Sequence, residues 1–396
     1  MRRNPSLRND YDAVVVGARC AGAATAMLLA RSGLRVLMVE RGAYGSDTLS
    51  THALMRGAVM QLARWGLIDA VRAAGTPAVT KATFHYGDEA VAVPIRPGGG
   101  IDALYAPRRS VLDRILVDAA VAAGAEVRFG CTLTGLMRGM DGRVTGAVLR
   151  DGAGAARELR AGLVIGADGR SSVAALAGAE VLVEGKAAAA VLFGYFPGLA
   201  PGLANDGYHW FYRPGATAGA IPTNAGETCV FAALPPQALR EGAEPPEARF
   251  RAALARAAPE LAESLAGVEP AGRLRLFAGV RGYLRRAVGP GWALVGDAGY
   301  FKDPVTAHGI TDALRDAELL ARAVGAGNAQ ALEDYQTLRD ALSLPLFRAT
   351  DAIAALDWTL EALKGRLAAL NEAMQTEVSV LGAVAARMPL PAPPEG

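Results

Sequence analysis

The chain has 396 residues, enough for two or three domains at roughly 150 residues each. Its 41 Lys and Arg against 39 Asp and Glu leave a net charge of +2, a near balance that excludes a nucleic-acid binder whose affinity comes from neutralising phosphates. The three cysteines, Cys20, Cys131 and Cys229, are scattered and form no CxxC pair, which excludes a disulfide framework or a cysteine-based zinc site and fits a reducing cytoplasm, the expected location.

The opening "MRRNPSLRND" is basic and polar, without the apolar block and small-residue cleavage site of a secretory signal. The first predicted element is a strand at 13–16, "AVVV", a continuous apolar run of the kind a strand buried on both faces shows. A glycine turn follows, then an Ala/Leu-rich helix from about Ala21 to Arg31, ended by Gly33 in the role of a left-handed cap. A second buried strand, 35–39, ends at Glu40, completing a compact parallel crossover.

The pattern from Ala53 to Ala74 is helical. Between 77 and 106 it changes to short alternating runs that read as antiparallel strands. An amphipathic helix at 110–124 follows, then a strand at "EVRFG", a hairpin around Asp141-Gly142, and the apolar strand "GLVIGADG". The stretch 187–205 is apolar but broken by Gly194, Pro197, Gly198, Pro201 and Gly202, so it reads as a buried strand and loop, and no membrane insertion is expected. Further strands and a helix near 245–266 precede another strand, loop and helix at 291–325. The remainder to about 386 is helical, with Leu356, Leu360, Leu363 and Leu367 as a packing stripe, and "MPLPAPPEG" is a solvated tail.

The expected fold is α/β. A Rossmann-like domain is assembled from 1–76, 104–184 and 276–325, an antiparallel-sheet substrate domain from 77–103 and 185–275, and a helical region and tail from 326–396.

Three motifs carry chemistry. In "VVVGARCAGAATA", Gly17 suits a tight turn and Gly22 a close helix–sheet approach, with a helix N-terminus offering N–H donors to a diphosphate; Ala18 and Ala21 line the same turn. Arg19 stands where a Gly-x-Gly-x-x-Gly motif has its middle glycine. Its guanidinium either assists the diphosphate or points to solvent or a carboxylate. On its own the stretch is also compatible with an unliganded crossover. Glu40, at the end of the second strand, can accept hydrogen bonds from ribose hydroxyls, with Arg41 beside it. In "VGDAGYFKDPVTAHGI", Gly296 and Asp297 follow a buried strand and Pro304, His308, Gly309 and Ile310 lead into a helix, placing a carboxylate and a backbone-donor loop at a strand's C-terminal end. "GADGRSSV" puts Asp168 after a third strand; alone it reads first as an Asp-Gly turn with Ser171 as a helix cap.

Together, in this order, the three resemble the FAD-dependent class A monooxygenases of the p-hydroxybenzoate hydroxylase type and their flavin-dependent halogenase and geranylgeranyl reductase relatives, over about residues 1–325. The resemblance implies FAD as cofactor, NADPH or NADH as electron donor and O2 as co-substrate, acting on an aromatic or polycyclic small molecule. It implies that Gly17 and Gly22 flank the pyrophosphate, Glu40 binds the adenosine ribose, Asp297 binds the ribityl chain, and Pro304 with the 305–310 backbone faces the isoalloxazine. Arg109 in "RRSVLD" would contact FAD, Asp168 would serve FAD and NAD(P)H binding, and His52 in "LSTHALMRG" and His308 would approach the flavin, His308 and Pro304 as flavin-positioning, catalytic residues. The four histidines lack metal-ligand spacing, and no metal is expected.

On the substrate side Tyr208, Trp210 and Tyr212 alternate along one strand. Either they pack between sheet and helices or they form a wall for an aromatic substrate. Arg213 either orients an anionic or phenolic substrate or is a solvated surface residue. A hydroxylase or epoxidase fits best, with a reductase of isoprenoid double bonds as the alternative. A halogenase fits less well because the Trp-x-Trp-x-Ile-Pro motif is absent, only Ala220-Ile221-Pro222 echoing its end. A monomer or homodimer is expected.

Overall fold

The computed structural model describes residues 11–170, 172–197, 199, 203, 207–240 and 244–387; Ser171 and the 388–396 tail lie outside them. Strand β1 (Tyr11–Val16), helix α1 (Cys20–Arg31) and strand β2 (Val36–Glu40) form the expected crossover. The apolar β1 run is buried because β2 pairs with it in parallel on one side and a later strand on the other. The helical pattern of 53–74 resolves into two helices, α2 (Arg56–Arg64) and α3 (Ile68–Ala73), separated where Gly66 adopts φ +77. Apolar periodicity continues across the break because both helices cover the same core, and this is why the sequence reads as one element.

Strands β3 (Lys81–Tyr86) and β4 (Glu89–Pro94) come next, then α4 (Arg109–Ala122), β5 (Glu126–Phe129), the hairpin β6 (Thr132–Arg138) and β7 (Val144–Arg150), and the long β8 (Ala156–Gly166). After α5 (Ser172–Ala177) and β9 (Val181–Glu184) the chain builds β10 (Ala190–Phe196), β11 (Tyr208–Arg213), β12 (Ala216–Pro222) and β13 (Thr228–Leu234), covered by α6 (Pro236–Arg240), α7 (Pro246–Ala257) and α8 (Pro259–Ser264). It returns through β14 (Arg275–Phe277), β15 (Tyr283–Arg285), β16 (Val288–Gly289), β17 (Trp292–Leu294) and β18 (Tyr300–Phe301) into α9 (Gly309–Ala326), α10 (Ala329–Ala354) and α11 (Leu360–Arg387).

The first sheet runs β16-β17-β8-β1-β2-β5, parallel from β17 to β5, and so gathers strands from three separated parts of the chain. The second sheet runs β14-β10-β13-β12-β11-β3-β4, which places the β3–β4 excursion beside β11. Alternate residues of this sheet belong to two cores. Tyr195, Tyr208, Trp210, Tyr212 and Phe231 join the core of the first domain, whereas Phe196, Phe211, Ala218 and Val230 pack against Phe250 and Leu254 of α7. One face of the second sheet is thereby turned toward the first domain.

Leu356 leaves the expected leucine stripe. It sits between α10 and α11 at φ +57, while Leu363 and Leu370 make the buried seam of α11.

Candidate functional site

The turn after β1 exists only because residue 17 is glycine. Gly17 has φ +104, and a Cβ there would collide with the carbonyl of Ala167 at the end of β8. A Cβ on Gly22 would likewise strike the carbonyl of Gly17, so the two glycines let α1 start directly on the parallel sheet. Ala18 and Ala21 are buried in this turn. Gly296, at φ +57, lies so near Ala21 that an added Cβ would be 3.0 Å from the alanine Cβ. The turn and the 296–298 turn therefore meet at the carboxyl ends of β1 and β17, where open α/β sheets place ligands.

Glu40 is prearranged. Its Oε2 accepts the Ala18 amide at 3.0 Å and its Oε1 the Gly42 amide at 2.8 Å, holding the carboxylate at the rim of a crevice also lined by Ala18, Arg19, Ser46 and Asp113. Arg41, next to it, is exposed. Arg19 crosses the crevice. Nη1 donates to the Ser46 carbonyl and Nη2 to the Ser46 hydroxyl, each at 3.3 Å, and Nη1 also lies 3.4 Å from Asp113.

Arg109 opens α4 and grips Asp113, four residues on, through Nε at 3.1 Å and Nη2 at 3.2 Å, and Cys20 Sγ donates to the same carboxylate at 3.1 Å. Burial opposes charge on Arg109, but Asp113 outweighs it and raises the guanidinium pKa. Asp113 is a site residue that the motifs do not reveal; its spacing of four from Arg109 on a helix is the available signal.

Asp168 follows β8, and its Oδ2 accepts the Val173 amide at 3.3 Å, an N-terminal capping contact of α5. Asp297 is exposed yet has protein packed closely around it, and that crowding raises its carboxyl pKa against the opposing pull of Lys302 and Arg109.

The loop from Lys302 to Gly309 turns its side chains away from the cleft. Lys302 pairs with Asp312, and burial pushes its ammonium down to about 7. Asp303 caps Val305, Thr306 meets Thr350 at 3.0 Å, and Ala307 takes a left-handed turn at φ +48. Pro304 is half-buried, Ile310 is buried, and Gly309 is exposed at the head of α9, where an added Cβ would meet no atom within 4 Å.

His308 is expected to approach the flavin, but its ring is enclosed. Nδ1 is 3.2 Å from Asp312 and Nε2 is 3.1 Å from Glu377 of α11, with 1% of the side chain exposed. The ring belongs to a buried ionic cluster with Arg315, Asp312, Asp316 and Glu377, an arrangement in which the side chain supports the loop before α9. His308, Asp312 and Glu377 bring donor atoms within 4.8 Å of one another, a carboxylate-rich set that Lys302 and Arg315 already neutralise.

His52 sits at the boundary of the two sheets. Its ring stacks on Tyr195 of β10 at 5.7 Å, and its Nδ1 lies 3.0 Å from the Ala106 carbonyl, a contact that fixes the proton on Nδ1. Burial pushes the imidazole down to about 3, so it is neutral, and Nε2 is a buried acceptor without a hydrogen-bond partner. Its backbone is left-handed at φ +48, uncommon for a non-glycine residue and frequent at functional sites.

On the second sheet, Tyr208, Trp210 and Tyr212 are all buried and share the face that joins the first domain. Trp210 packs edge-on against Tyr208 at 6.2 Å, and Tyr212 lies 5.8 Å from Tyr86. Arg213 instead reaches Asp88 at the surface, 3.0 Å away. Arg108 lies over the Tyr195 ring at 3.5 Å and is neutralised by Glu227 at 2.6 Å and Asp47 at 3.3 Å.

The residues present suit FAD: a glycine-built helix N-terminus, a carboxylate held open for ribose and a second carboxylate beyond β17 lie along the carboxyl edge of one sheet. The profile of the FAD binding domain matches residues 10–348. The chain belongs to this flavoprotein family. It is an FAD-dependent oxidoreductase.

Among curated proteins it is 28% identical over 365 residues to digeranylgeranylglycerophospholipid reductase 2 of Methanococcoides burtonii, covering 84% of this chain and 80% of that one. It is 36% identical over 186 residues to aklavinone 12-hydroxylase DnrF of Streptomyces peucetius subsp. caesius, covering 41% of this chain and 36% of the hydroxylase. Among solved structures, a triple mutant of the flavin-dependent brominase Bmp2 superposes with a TM-score of 0.77 at 19% identity, covering 93% of this chain and 95% of that chain. PqsL, a probable FAD-dependent monooxygenase from Pseudomonas aeruginosa, superposes at 0.73 and 23%, covering 92% and 99%. The structural likenesses establish the fold. Among the described residues, no helix of this flavoprotein is long and apolar enough to cross a membrane.

Proposed function

We propose that this flavoprotein is an NAD(P)H-dependent monooxygenase that hydroxylates or epoxidises an aromatic or polycyclic small molecule. The supporting observation is the aromatic face that the second sheet turns toward the first domain: Tyr195, Tyr208, Trp210, Tyr212 and Phe231 share one core with the glycine turn and the 305–310 segment. Flat, rigid rings suit a flat substrate, and they exclude water from the cleft.

Bound FAD would supply the redox and oxygen chemistry, and the chain's residues would position and shield it. Glu40 would orient the adenosine ribose and the α1 N-terminus the diphosphate. Asp297 would face the ribityl chain, and the backbone of the 304–310 loop would face the ring. The loop's side chains are committed to Asp312, Glu377 and Thr350, so that backbone is rigidly held. On the aromatic wall Nε2 of His52 and the Tyr195 hydroxyl, both buried without a hydrogen-bond partner, would accept from and donate to a polar group of the substrate.

The test is an oxygen-uptake screen of FAD-loaded protein against hydroxylated polycyclic arenes with NADH and with NADPH, followed by mass spectrometry of products formed under 18O2. Substrate-stimulated uptake with one labelled oxygen in the product supports the reading. Stimulated flavin oxidation without labelled product removes it.

A reductase acting on isoprenoid double bonds is the second reading, favoured by the longer coverage of the geranylgeranyl reductase relatives. It predicts anaerobic oxidation of reduced flavin by a polyprenyl substrate, with saturation of its double bonds.

A further inference from the structure

Arg19 replaces the middle glycine of the phosphate turn, and its surroundings assign it a different task from binding phosphate. Its backbone is extended, φ −96 and ψ −168, so the side chain leaves the turn and reaches across the crevice mouth, where about a third of it stays exposed. There its guanidinium holds both oxygens of Ser46 and shares Asp113 with Arg109. Three acceptors already engage it, and turning it toward a diphosphate would break all of these contacts.

Ser46 ends a short segment that forms one wall of the crevice. Tyr44, in the same segment, donates its hydroxyl to Asp118 of α4 at 2.7 Å, and its ring meets the edge of Phe129 at 5.6 Å. Gly45 has φ +68, a left-handed conformation that favours glycine, and it lies beside the Arg114 guanidinium of α4. The segment is thus fastened at two points, to α4 through Tyr44 and to the start of α1 through Arg19, and it passes beside Glu40.

We infer that Arg19 is a latch that closes the 43–46 segment over the adenosine end of the crevice and thereby slows the release of FAD. The inference rests on the reading that Glu40 marks the adenosine ribose. The latch is shut in this structure, so its loss raises the dissociation rate and does not slow association. A phosphate ligand acts through charge and affects association as well.

The test follows FAD release from reconstituted protein by recovery of flavin fluorescence on dilution, and FAD uptake by its quenching, at two ionic strengths. Arg19→Ala and Tyr44→Phe are each expected to release FAD about threefold faster or more, the range of one lost hydrogen bond, with uptake no slower than in the wild type. Arg19→Lys is expected to behave like Arg19→Ala, because one ammonium cannot hold Ser46 and Asp113 together. Tyr44→Phe never approaches the diphosphate, so it separates the two roles even if Arg19→Ala loads poorly. Slower, salt-sensitive uptake in Arg19→Ala restored by Arg19→Lys, with Tyr44→Phe silent, overturns the latch, as does unchanged release in all three variants. Wild-type protein that cannot be loaded with FAD would instead remove the site reading beneath it.

Discussion

Asp303 accepts the backbone amide of Ala189 at 2.7 Å, joining the loop before α9 to the strand that enters the second sheet. The other oxygen of the same carboxylate caps Val305 at 3.0 Å, so one buried side chain holds the loop and the interdomain crossing together. Burial raises the carboxyl to about 7 although both amides pull it down. A carboxyl raised in the folded state contributes stability that is fully present below its unfolded value near 4 and is lost as pH rises through 7. Replacing it by Asn removes that titration and leaves one of the two amides facing an NH2 group. Asp303→Asn is therefore expected to cost about 1–3 kcal/mol at pH 5, with a smaller deficit at pH 8. Thermal melts of both proteins across this range check it; a deficit that does not shrink as pH rises excludes the titration.

Glu40→Ala removes the acceptor of two backbone amides and, on the proposed reading, the ribose partner with it. FAD affinity is expected to fall at least about tenfold, measured by flavin fluorescence titration, a scale set by hydrogen bonds to a charged group. Glu40→Gln should fall between, because its amide oxygen can accept only one of the two N–H groups.

Gly17→Ala places a Cβ against the Ala167 carbonyl at φ +104, and Gly22→Ala places one against the Gly17 carbonyl. Each change forces the α1 start away from the sheet. Both variants are expected to lose FAD binding and to melt at clearly lower temperature, read by fluorescence titration and calorimetry.

These glycines and the parallel crossover are legible in sequence because each is local: a strand, a turn and a helix within thirty residues carry their own pattern. His308 is legible only as a position. Whether its ring faces the cleft or the interior depends on Glu377, 69 residues downstream on a separate helix, and no local spacing encodes that pairing. Asp303 is hidden for the same reason, since its partner Ala189 is distant in the chain, as is the reach of Asp113 to Arg19, although the spacing of four between Asp113 and Arg109 is local. The break between α2 and α3 is masked because Leu62 and Val71, on either side of it, are buried in the same core.

The Tyr195 hydroxyl is buried without a hydrogen-bond partner, and burial raises its pKa far above the ordinary tyrosine value. Removing an unpaired buried hydroxyl costs the fold little, because no internal bond is lost. Tyr195→Phe is expected to melt at the same temperature or slightly higher. If the wall receives a hydroxylated substrate, the same variant should bind 1-naphthol several-fold more weakly while its affinity for 1-methoxynaphthalene changes less. Equal losses for both probes would mean that the ring, and not the hydroxyl, carries the contact.

Glu377 stands seven residues beyond Leu370 and fourteen beyond Leu363 on the buried seam of α11, a position where another leucine would ordinarily pack. Its Oε1 instead takes Arg315 at 2.9 Å and its Oε2 faces His308. His308 and Arg315 pull its pKa below the usual carboxylate range despite the burial that opposes them. Leucine would fit the seam but takes one acceptor from Arg315, which keeps Asp312 and Asp316, and leaves Nε2 of the buried His308 without a partner, so Glu377→Leu is expected to destabilise by about 1–3 kcal/mol despite its greater hydrophobicity. Glu377→Gln keeps an acceptor for Arg315 and can donate to His308, and should cost much less. Denaturant melts of the two variants check the order. A leucine variant as stable as the wild type would show that the cluster is replaceable packing and that the loop before α9 is held by Lys302, Asp303 and Thr306 alone.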